Sequence, residues 1–255
     1  MKNIPPELLG EIINHLPSHD QKSLRNCSLV AKSWIYPARR RLFEYISIGG
    51  DSDRLRSWLN TISPTNVGLL QHVRRLDCQI PDVPDLLHGS GDTVDLFRDY
   101  PPSLSRLQHL LLWSGCLASL TQIWTPSAFQ NSLSSLSLWG CRVSAGMLVT
   151  FLNYFPNLAR LDLVAITHNP DGQRIPPLSR MLQKLTVAGF HPENGLDLLD
   201  QLMVLRPQCE GVAIGRFVSC PLLAQRIVNG VEASVKRLNI KSDLVCAYKI
   251  SNIIL

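Results

Sequence analysis

A nine-residue pattern with apolar residues at its first, fourth and sixth positions recurs through most of this chain. LSSLSLWGC, at residues 133–141, is one copy, and related segments begin at residues 73, 107, 158, 182, 209 and 235. Their central apolar residues lie 34, 26, 25, 24, 27 and 26 residues apart. All 21 residues at the three apolar positions of these seven copies are Leu, Val, Ile or Cys. A chain that is 45% hydrophobic would give about nine by chance, so the pattern indicates a repeat architecture.

The spacing inside each copy predicts a short strand, because alternate residues of a strand point to the same side. Helix-like stretches lie between copies, notably GMLVTFLNYFPNL at 146–158 and LDLLDQLMVL at 196–205. Strand, helix and parallel strand repeating at this period stack into a solenoid whose strands line its concave side. FEYISIGGD, at 43–51, is a candidate for an eighth, leading copy. The sequence therefore predicts an α/β fold with a parallel concave sheet.

These segments resemble leucine-rich repeats in an irregular form. None of them has the Asn that is regular at the ninth position of such repeats. Cys141 is the one residue at that position that fits the pattern, which takes either Asn or Cys. A further copy would be due near residue 264, whereas the chain stops at 255 with SNIIL and no polar capping unit. Because solenoids normally shield their open ends, we expect a truncated or unusually ended chain that is prone to self-association.

The N-terminal forty residues predict a separate helical module. IPPELLGEIINHLP, at 4–17, places its apolar residues on one helical face, and a second stripe follows. Ser18 with Gln21, or Asp20 alone, is a plausible N-cap for the second helix. A third helical piece carries ARRRLF after Pro37. The two stripes comprise Leu8, Leu9, Ile12, Ile13 and Leu16, then Leu24, Cys27, Ala31 and Trp34. A module of this size is expected to be too small to bury both stripes, so the first face needs the solenoid or another protein.

Residues 4–34 resemble an F-box, whose pattern runs L-P-x-E-L-L-x-x-I-x-x-x-L, a turn with Asp, and L-x-x-C-S-x-V-x-x-x-W. With the repeats behind it, the chain is similar to fungal-type F-box proteins with degenerate leucine-rich repeats. The predicted domains are an F-box at 1–46, a linking helix segment at 47–72 and the repeat arc at 73–255. The stripe of the linking helix comprises Leu55, Trp58, Leu59 and Ile62. The matching residues are Pro5, Glu7, Leu8, Leu9, Ile12, Leu16, Asp20, Leu24, Cys27, Ser28, Val30 and Trp34.

The resemblance implies a non-catalytic substrate receptor of an SCF-type (cullin-RING) ubiquitin ligase. Its F-box would dock on a Skp-family adaptor, and through it on a cullin, while the repeats would hold a protein substrate. There are two alternatives. Residues 4–34 would only cap the N-terminal end of the solenoid, or the chain would be a repeat scaffold that binds the adaptor without promoting ubiquitylation. The residues predicted to bind the adaptor are Ile4, Pro5, Leu8, Leu9, Ile12, Leu16, Leu24, Ser28 and Trp34.

The substrate is expected on the concave face, where residues between the apolar positions point away from the core. Trp113 and Trp139 occupy the same position in neighbouring repeats and are predicted to lie side by side, exposed. With Arg75, Arg160 and Lys184 around them, they predict a surface for an acidic or phosphorylated partner. The alternative is that the indoles cover their own strands.

Composition and motifs exclude several other classes. The N-terminus is not a signal peptide, no apolar run spans a membrane, and a net charge of +5 falls short of a nucleic-acid-binding surface. The seven scattered cysteines and seven histidines show no metal-ligand spacing, so neither metal nor cofactor is expected, and reduced cysteines fit a cytoplasmic or nuclear protein. HGSGD, at 88–92, is expected to be a loop rather than a catalytic site. The basic runs at 38–41 and 74–75 are expected to be a solvated helix face and a concave-surface pair rather than nucleic-acid patches.

Overall fold

The structure, a computed structural model, describes residues 4–17, 20–48, 70–79, 104–115, 117, 129–168, 175, 182–189, 198, 209–215 and 236–240. The chain divides into two compact units. The first comprises Met1–Leu136 with Tyr154–Asn157, and the second comprises Ser137–Asn153 with Leu158–Leu255.

Three helices begin the first unit: α1 (Pro6–Asn14), α2 (Gln21–Val30) and α3 (Lys32–Leu42). The first begins with a proline, whose missing N–H costs nothing at that position. The predicted N-cap is confirmed, since Asp20 Oδ1 accepts a hydrogen bond from the Ser23 amide at 3.1 Å. The predicted single stripe is wrong at Ala31, whose extended backbone (φ −159°, ψ 159°) separates α2 from α3. The third helix therefore begins before Pro37 and contains it.

The strands of the first unit are β1 (Tyr45–Ile48), β2 (Arg75–Gln79), β3 (His109–Trp113) and the first two residues of β4 (Ser135–Trp139). Strands β1, β2 and β3 pair in parallel, with Leu76 opposite Leu110. Main-chain hydrogen bonds join the start of each strand to the preceding one. The Glu44 carbonyl accepts from the amides of residues 74 and 75, the Arg74 carbonyl from 108 and 109, and the Gln108 carbonyl from 134 and 135.

The second unit contains the rest of β4, β5 (Arg142–Val143), α4 (Ala145–Asn153), β6 (Arg160–Val164), β7 (Thr167–His168), β8 (Leu182–Ala188), β9 (Cys209–Ile214) and β10 (Arg237–Ile240). Strands β6, β8, β9 and β10 pair in parallel in that order, and β5 pairs with β7. Ser144 caps α4 by accepting a hydrogen bond from the Met147 amide at 3.2 Å. The helix predicted in 146–158 is thus confirmed for residues 146–153, and residues 154–158 are not helical.

The three apolar positions of the repeat form the core of both units. Every one of these side chains that the structure describes is at most 4% exposed. The N-terminal helices followed by a solenoid-like parallel sheet confirm the broad architecture, and β1 confirms a strand in the candidate leading copy. Classification of the repeats as leucine-rich stays a prediction.

A left-handed residue follows β3, β4, β6 and β8 at the same position of the repeat. Ser114, Gly140, Ala165 and Gly189 have φ values of 61°, 62°, 52° and 65°. Glycine adopts this conformation freely, whereas serine and alanine are strained in it. The position therefore turns the chain out of the sheet whichever residue occupies it.

Several predictions fall outside the described residues. These are the linking helix segment at 47–72 apart from residues 47–48, which end β1, and 70–72, most of the helix at 196–205, the HGSGD segment at 88–92 and the chain after residue 240. Among the helices that the structure does describe, none is long and apolar enough to cross a membrane.

Candidate functional sites

The N-terminal helices close over a small core of their own. Leu9, Ile13, Leu24 and Ala38 are at most 2% exposed and form one cluster. Side chains that pack against this cluster while keeping some exposure are Leu16, Cys27, Trp34 and Leu42. The expectation that so small a module cannot bury the α1 face is therefore wrong for Leu9 and Ile13, because α2 and α3 cover them.

The remaining apolar residues of this segment point to solvent. Ile4, Leu8 and Ile12 are 45–50% exposed. Leu8 and Ile12 lie four residues apart on one side of α1, and Ile4 precedes the helix by two residues. Two acidic residues, Glu7 and Glu11, are exposed on the same helix. This row is called the α1 apolar row below.

The nine residues predicted to bind an adaptor thus separate into two groups. Ile4, Leu8 and Ile12 are exposed, as is Pro5, whose carbonyl accepts from the Leu9 amide. Leu9 and Leu24 are buried, Leu16 and Trp34 pack against the core, and half-buried Ser28 donates its hydroxyl to the Arg25 carbonyl at 2.6 Å. Direct contact with an adaptor stays a prediction for all nine.

Three further exposed apolar residues were not among those predicted. Leu29 is 82% exposed, and Val30 and Tyr36 are also exposed, around the break between α2 and α3. The sequence carried a signal for them, since Leu29 and Val30 lie off the stripe that Leu24 and Cys27 share.

The predicted substrate residue Arg75 is engaged within the first unit. Its guanidinium donates to Asp77, with Nε 3.0 Å from Oδ1, and lies 5.2 Å from the centroid of the Tyr45 ring. The Tyr45 hydroxyl donates to the same carboxylate at 2.8 Å. Burial, followed by the hydrogen bond to Asp77, raises the pKa of Tyr45 above its ordinary value. The hydrogen bond to Asp77 likewise raises the pKa of Arg75.

The second unit repeats this arrangement at Arg160. Its Nε lies 2.9 Å from Oδ2 of Asp162, which also accepts from the Ser137 hydroxyl at 2.9 Å. Asp77 and Asp162 are both 7% exposed, while about half of each arginine side chain is exposed. Each buried carboxylate therefore neutralises one of the two arginines predicted to contact substrate.

Lys184 lies in a groove on the sheet of the second unit. Arg160, Lys184, Gly211 and Arg237 are register partners across β6, β8, β9 and β10, so they form one row. The groove has a volume of about 460 Å³. Lys184 and Arg237 form no ion pair with any residue that the structure describes, and Gly211, which has no side chain, lies between them in the strand register.

The predicted tryptophans lie in different units and are described separately. Trp113 ends β3 in the first unit and is partly buried. Trp139 ends β4 in the second unit and is 49% exposed. Their predicted side-by-side arrangement stays a prediction.

A second polar pocket lies in the first unit, where α3 meets the turns before β2 and β3. Its volume is about 240 Å³, and its lining comprises Asn14, Arg40, Arg41, Glu44, His72, Arg74 and Arg106. Burial lowers the pKa of His72, and the positive charges of Arg40 and Arg106 lower it further. This set is called the arginine pocket below.

The described part of the chain offers few residues for metal binding or cysteine chemistry. It contains no group of three or more His, Cys, Asp or Glu side chains that could hold a metal ion. Cys27, Cys78 and Cys141 are free thiols. Burial raises the pKa of Cys78 to about 12, which suits a core residue and not a nucleophile.

Comparison with known proteins bears on the N-terminal segment. Residues 1–35 match the family model of the F-box domain. No curated protein matches the chain. The N-terminal helices are therefore an F-box domain, a module that in general binds a Skp-family adaptor of SCF-type ubiquitin ligases.

Proposed function

We propose that this chain is the substrate-recognition subunit of an SCF-type ubiquitin ligase. Its F-box docks on a Skp-family adaptor and through it on a cullin, and its repeats bind a protein substrate. The observation that carries the proposal is the α1 apolar row, which stays exposed within a segment that matches the F-box family.

The proposed docking surface follows from the division between core and exposed residues. Leu9, Leu24 and their neighbours fix the helices, while Ile4, Leu8 and Ile12 contact the adaptor. Burying an exposed Leu or Ile side chain contributes roughly 1.5–3 kcal/mol, so this row supplies a substantial apolar contribution to binding. Leu29, Val30 and Tyr36 extend the proposed surface.

The proposed substrate face uses the cations that have no partner among the described residues. Lys184 and Arg237 line the groove of the second unit on either side of Gly211, and an acidic or phosphorylated segment fits between them. Arg75 and Arg160 attract an acidic partner less strongly than unpaired arginines would, because the carboxylates of Asp77 and Asp162 offset their charges.

The chain performs no chemistry in this proposal. It raises the effective concentration of substrate lysines near activated ubiquitin, which is a matter of proximity and geometry. The protein proposed here is therefore a fungal-type F-box protein with leucine-rich repeats, present in the cytoplasm or nucleus.

Docking is tested with the full chain and a purified Skp-family adaptor by calorimetry. Leu8→Asp and Ile12→Asp should abolish binding, because each places a carboxylate within an apolar interface. Tyr154→Asp, which alters another exposed apolar residue of the first unit, is the matched control and should bind normally. Unchanged affinity of both α1 variants would overturn the docking surface.

Ligase membership and substrate binding are tested by affinity capture from cells. The intact chain should recover adaptor and cullin together, whereas recovery of the adaptor alone would favour the scaffold without ubiquitylation. Lys184→Ala combined with Arg237→Ala should keep adaptor and cullin and lose a subset of other proteins. A capture profile identical to that of the intact chain would remove the groove from the proposal.

A further inference from the structure

The arginine pocket unites two basic runs that lie far apart in the sequence. Arg40 and Arg41 lie in the last turn of α3, whereas Arg74 precedes β2 by one residue, and Arg106 comes from the turn before β3. The fold brings the three segments together because the carbonyls of Glu44 and Arg74 accept main-chain hydrogen bonds from the following strands. Arg40, Arg74 and Arg106 are exposed, and their side chains converge on this pocket.

The charges of the pocket do not balance. Its lining carries four guanidinium groups and one carboxylate, Glu44. That carboxylate forms an ion pair with Arg41 and lies 3.6 Å from Arg74, so it serves two arginines. Arg40 and Arg106 form no ion pair with a described residue. The pocket therefore has an excess of three positive charges when His72 is neutral.

The polar atoms of the pocket are also incompletely used. Nδ1 of His72 is buried and has no hydrogen-bond partner within the described part of the chain. The ring itself is fixed, since Tyr36 packs against it edge-on with 6.1 Å between ring centroids. Arg41 is fixed as well, because its Nε donates to the Leu16 carbonyl at 3.2 Å. A buried polar atom without a partner is costly unless a ligand or water satisfies it.

We propose that the arginine pocket binds a phosphate group. Guanidinium groups recognise phosphate through paired hydrogen bonds. A doubly charged phosphate offsets two of the three excess positive charges, whereas a carboxylate would offset one. The volume of about 240 Å³ lies below the roughly 300–1,000 Å³ typical of pockets for larger ligands, which favours one small anionic group. The bound phosphate contacts Arg40 and Arg106 and lies near His72. This site is distinct from the α1 apolar row and does not depend on the proposed function.

The test measures binding of pyrophosphate to the full chain by calorimetry at constant ionic strength. Arg106→Gln and Arg40→Gln should each weaken binding by roughly 10-fold or more, because each removes charge-assisted hydrogen bonds. Arg39→Gln changes the same charge on an exposed position of the same helix, outside the pocket, and should alter affinity by less than about twofold. Absence of binding, or an equal loss in the Arg39 variant, would overturn the proposal.

Two additions keep the result interpretable. Arg106→Lys retains the charge without the planar guanidinium fork, so it should show an intermediate loss of affinity. This variant takes the place of Arg106→Gln if the latter does not fold. A short phosphoserine peptide in a parallel titration identifies the source of the phosphate. Tighter binding than pyrophosphate assigns it to a phosphorylated protein, and weaker binding assigns it to a free phosphate compound. Nuclear magnetic resonance should show the His72 ring signals shifting on saturation, and unmoved signals would contradict the site.

Discussion

Arg75 donates two hydrogen bonds to Asp77, the second residue after it on the same strand, with Nη2 3.2 Å from Oδ2. Both side chains lie on one face of β2 because alternate strand residues do. Arg160 and Asp162 repeat the relationship on β6. The sequence RLD therefore encodes an internal ion pair at both places, and a hydroxyl from another strand, Tyr45 on β1 or Ser137 on β4, is a second donor to the carboxylate.

A double-mutant cycle on Arg75 and Asp77 should reveal coupling. Asp77→Ala leaves the Tyr45 hydroxyl without its acceptor and should lower the free energy of unfolding by about 1–3 kcal/mol. Arg75→Ala should cost less, because about half of its side chain is in water. The coupling measured by urea unfolding should be roughly 0.5–3 kcal/mol. Strictly additive effects of the two changes would contradict the pair.

Core and docking residues of the F-box should respond differently to truncation. Leu24→Ala removes a fully buried side chain and should lower the free energy of unfolding by about 2–5 kcal/mol. Leu8→Ala removes a half-exposed one and should change it by no more than about 0.5 kcal/mol. Urea unfolding of both variants makes the comparison. Equal destabilisation would mean that Leu8 belongs to the core.

The left-handed position after the strands permits a reciprocal exchange. Ala165→Gly should raise the free energy of unfolding, because it relieves a strained φ of 52° that costs alanine about 1 kcal/mol. Gly140→Ala should lower it by about 1 kcal/mol, since nothing lies within 4 Å of the added methyl group and only backbone strain remains. Thermal unfolding of the two variants should therefore shift in opposite directions. Shifts of the same sign would refute the interpretation.

Cys78 should resist alkylation in the folded protein. Its burial and a pKa of about 12 leave almost no thiolate at pH 8. Mass spectrometry of peptides after iodoacetamide treatment should find this thiol unmodified in buffer and modified in denaturant. Cys27, which is only partly buried, provides the internal comparison. Rapid labelling of Cys78 in buffer would contradict its place in the core.

Substitution of the two tryptophans should distinguish a role in stability from a role in binding a partner. Trp139 is about half exposed, so Trp139→Ala should change the melting temperature little while reducing capture of a partner. Trp113 is more buried, so Trp113→Ala should lower the melting temperature measurably. If Trp139→Ala lowers the melting temperature and leaves capture intact, the indole covers its own strand instead.

The apolar spacing of the repeats predicted the strands well because a buried parallel strand leaves a direct record in sequence. Residues such as Leu110 and Leu136 have one environment open to them, the core. The break at Ala31 left no such record, since alanine is compatible with a helix and neither Gly nor Pro marks the site. The F-box helices also bury more of α1 than their size suggested, because α2 and α3 contribute Leu24 and Ala38 to the same cluster.

The charged sites were harder to predict than the core. The Arg75–Asp77 pair was within reach, because a spacing of two residues on a strand places both side chains on one face. The arginine pocket was not, since Arg40, Arg74 and Arg106 come from segments more than thirty residues apart. Their convergence depends on how successive strands attach to one another, which local patterns do not encode.

The main-chain attachment of successive strands restricts how such a chain can diverge. The Glu44, Arg74, Gln108 and Ala159 carbonyls each accept hydrogen bonds from two consecutive amides at the start of another strand. Carbonyl acceptors place no demand on side-chain identity, but both donors need an N–H, which proline lacks. Proline is therefore excluded at one dipeptide in each such repeat, including residues 74–75, 108–109 and 183–184, while the segments between strands vary in length from one repeat to the next.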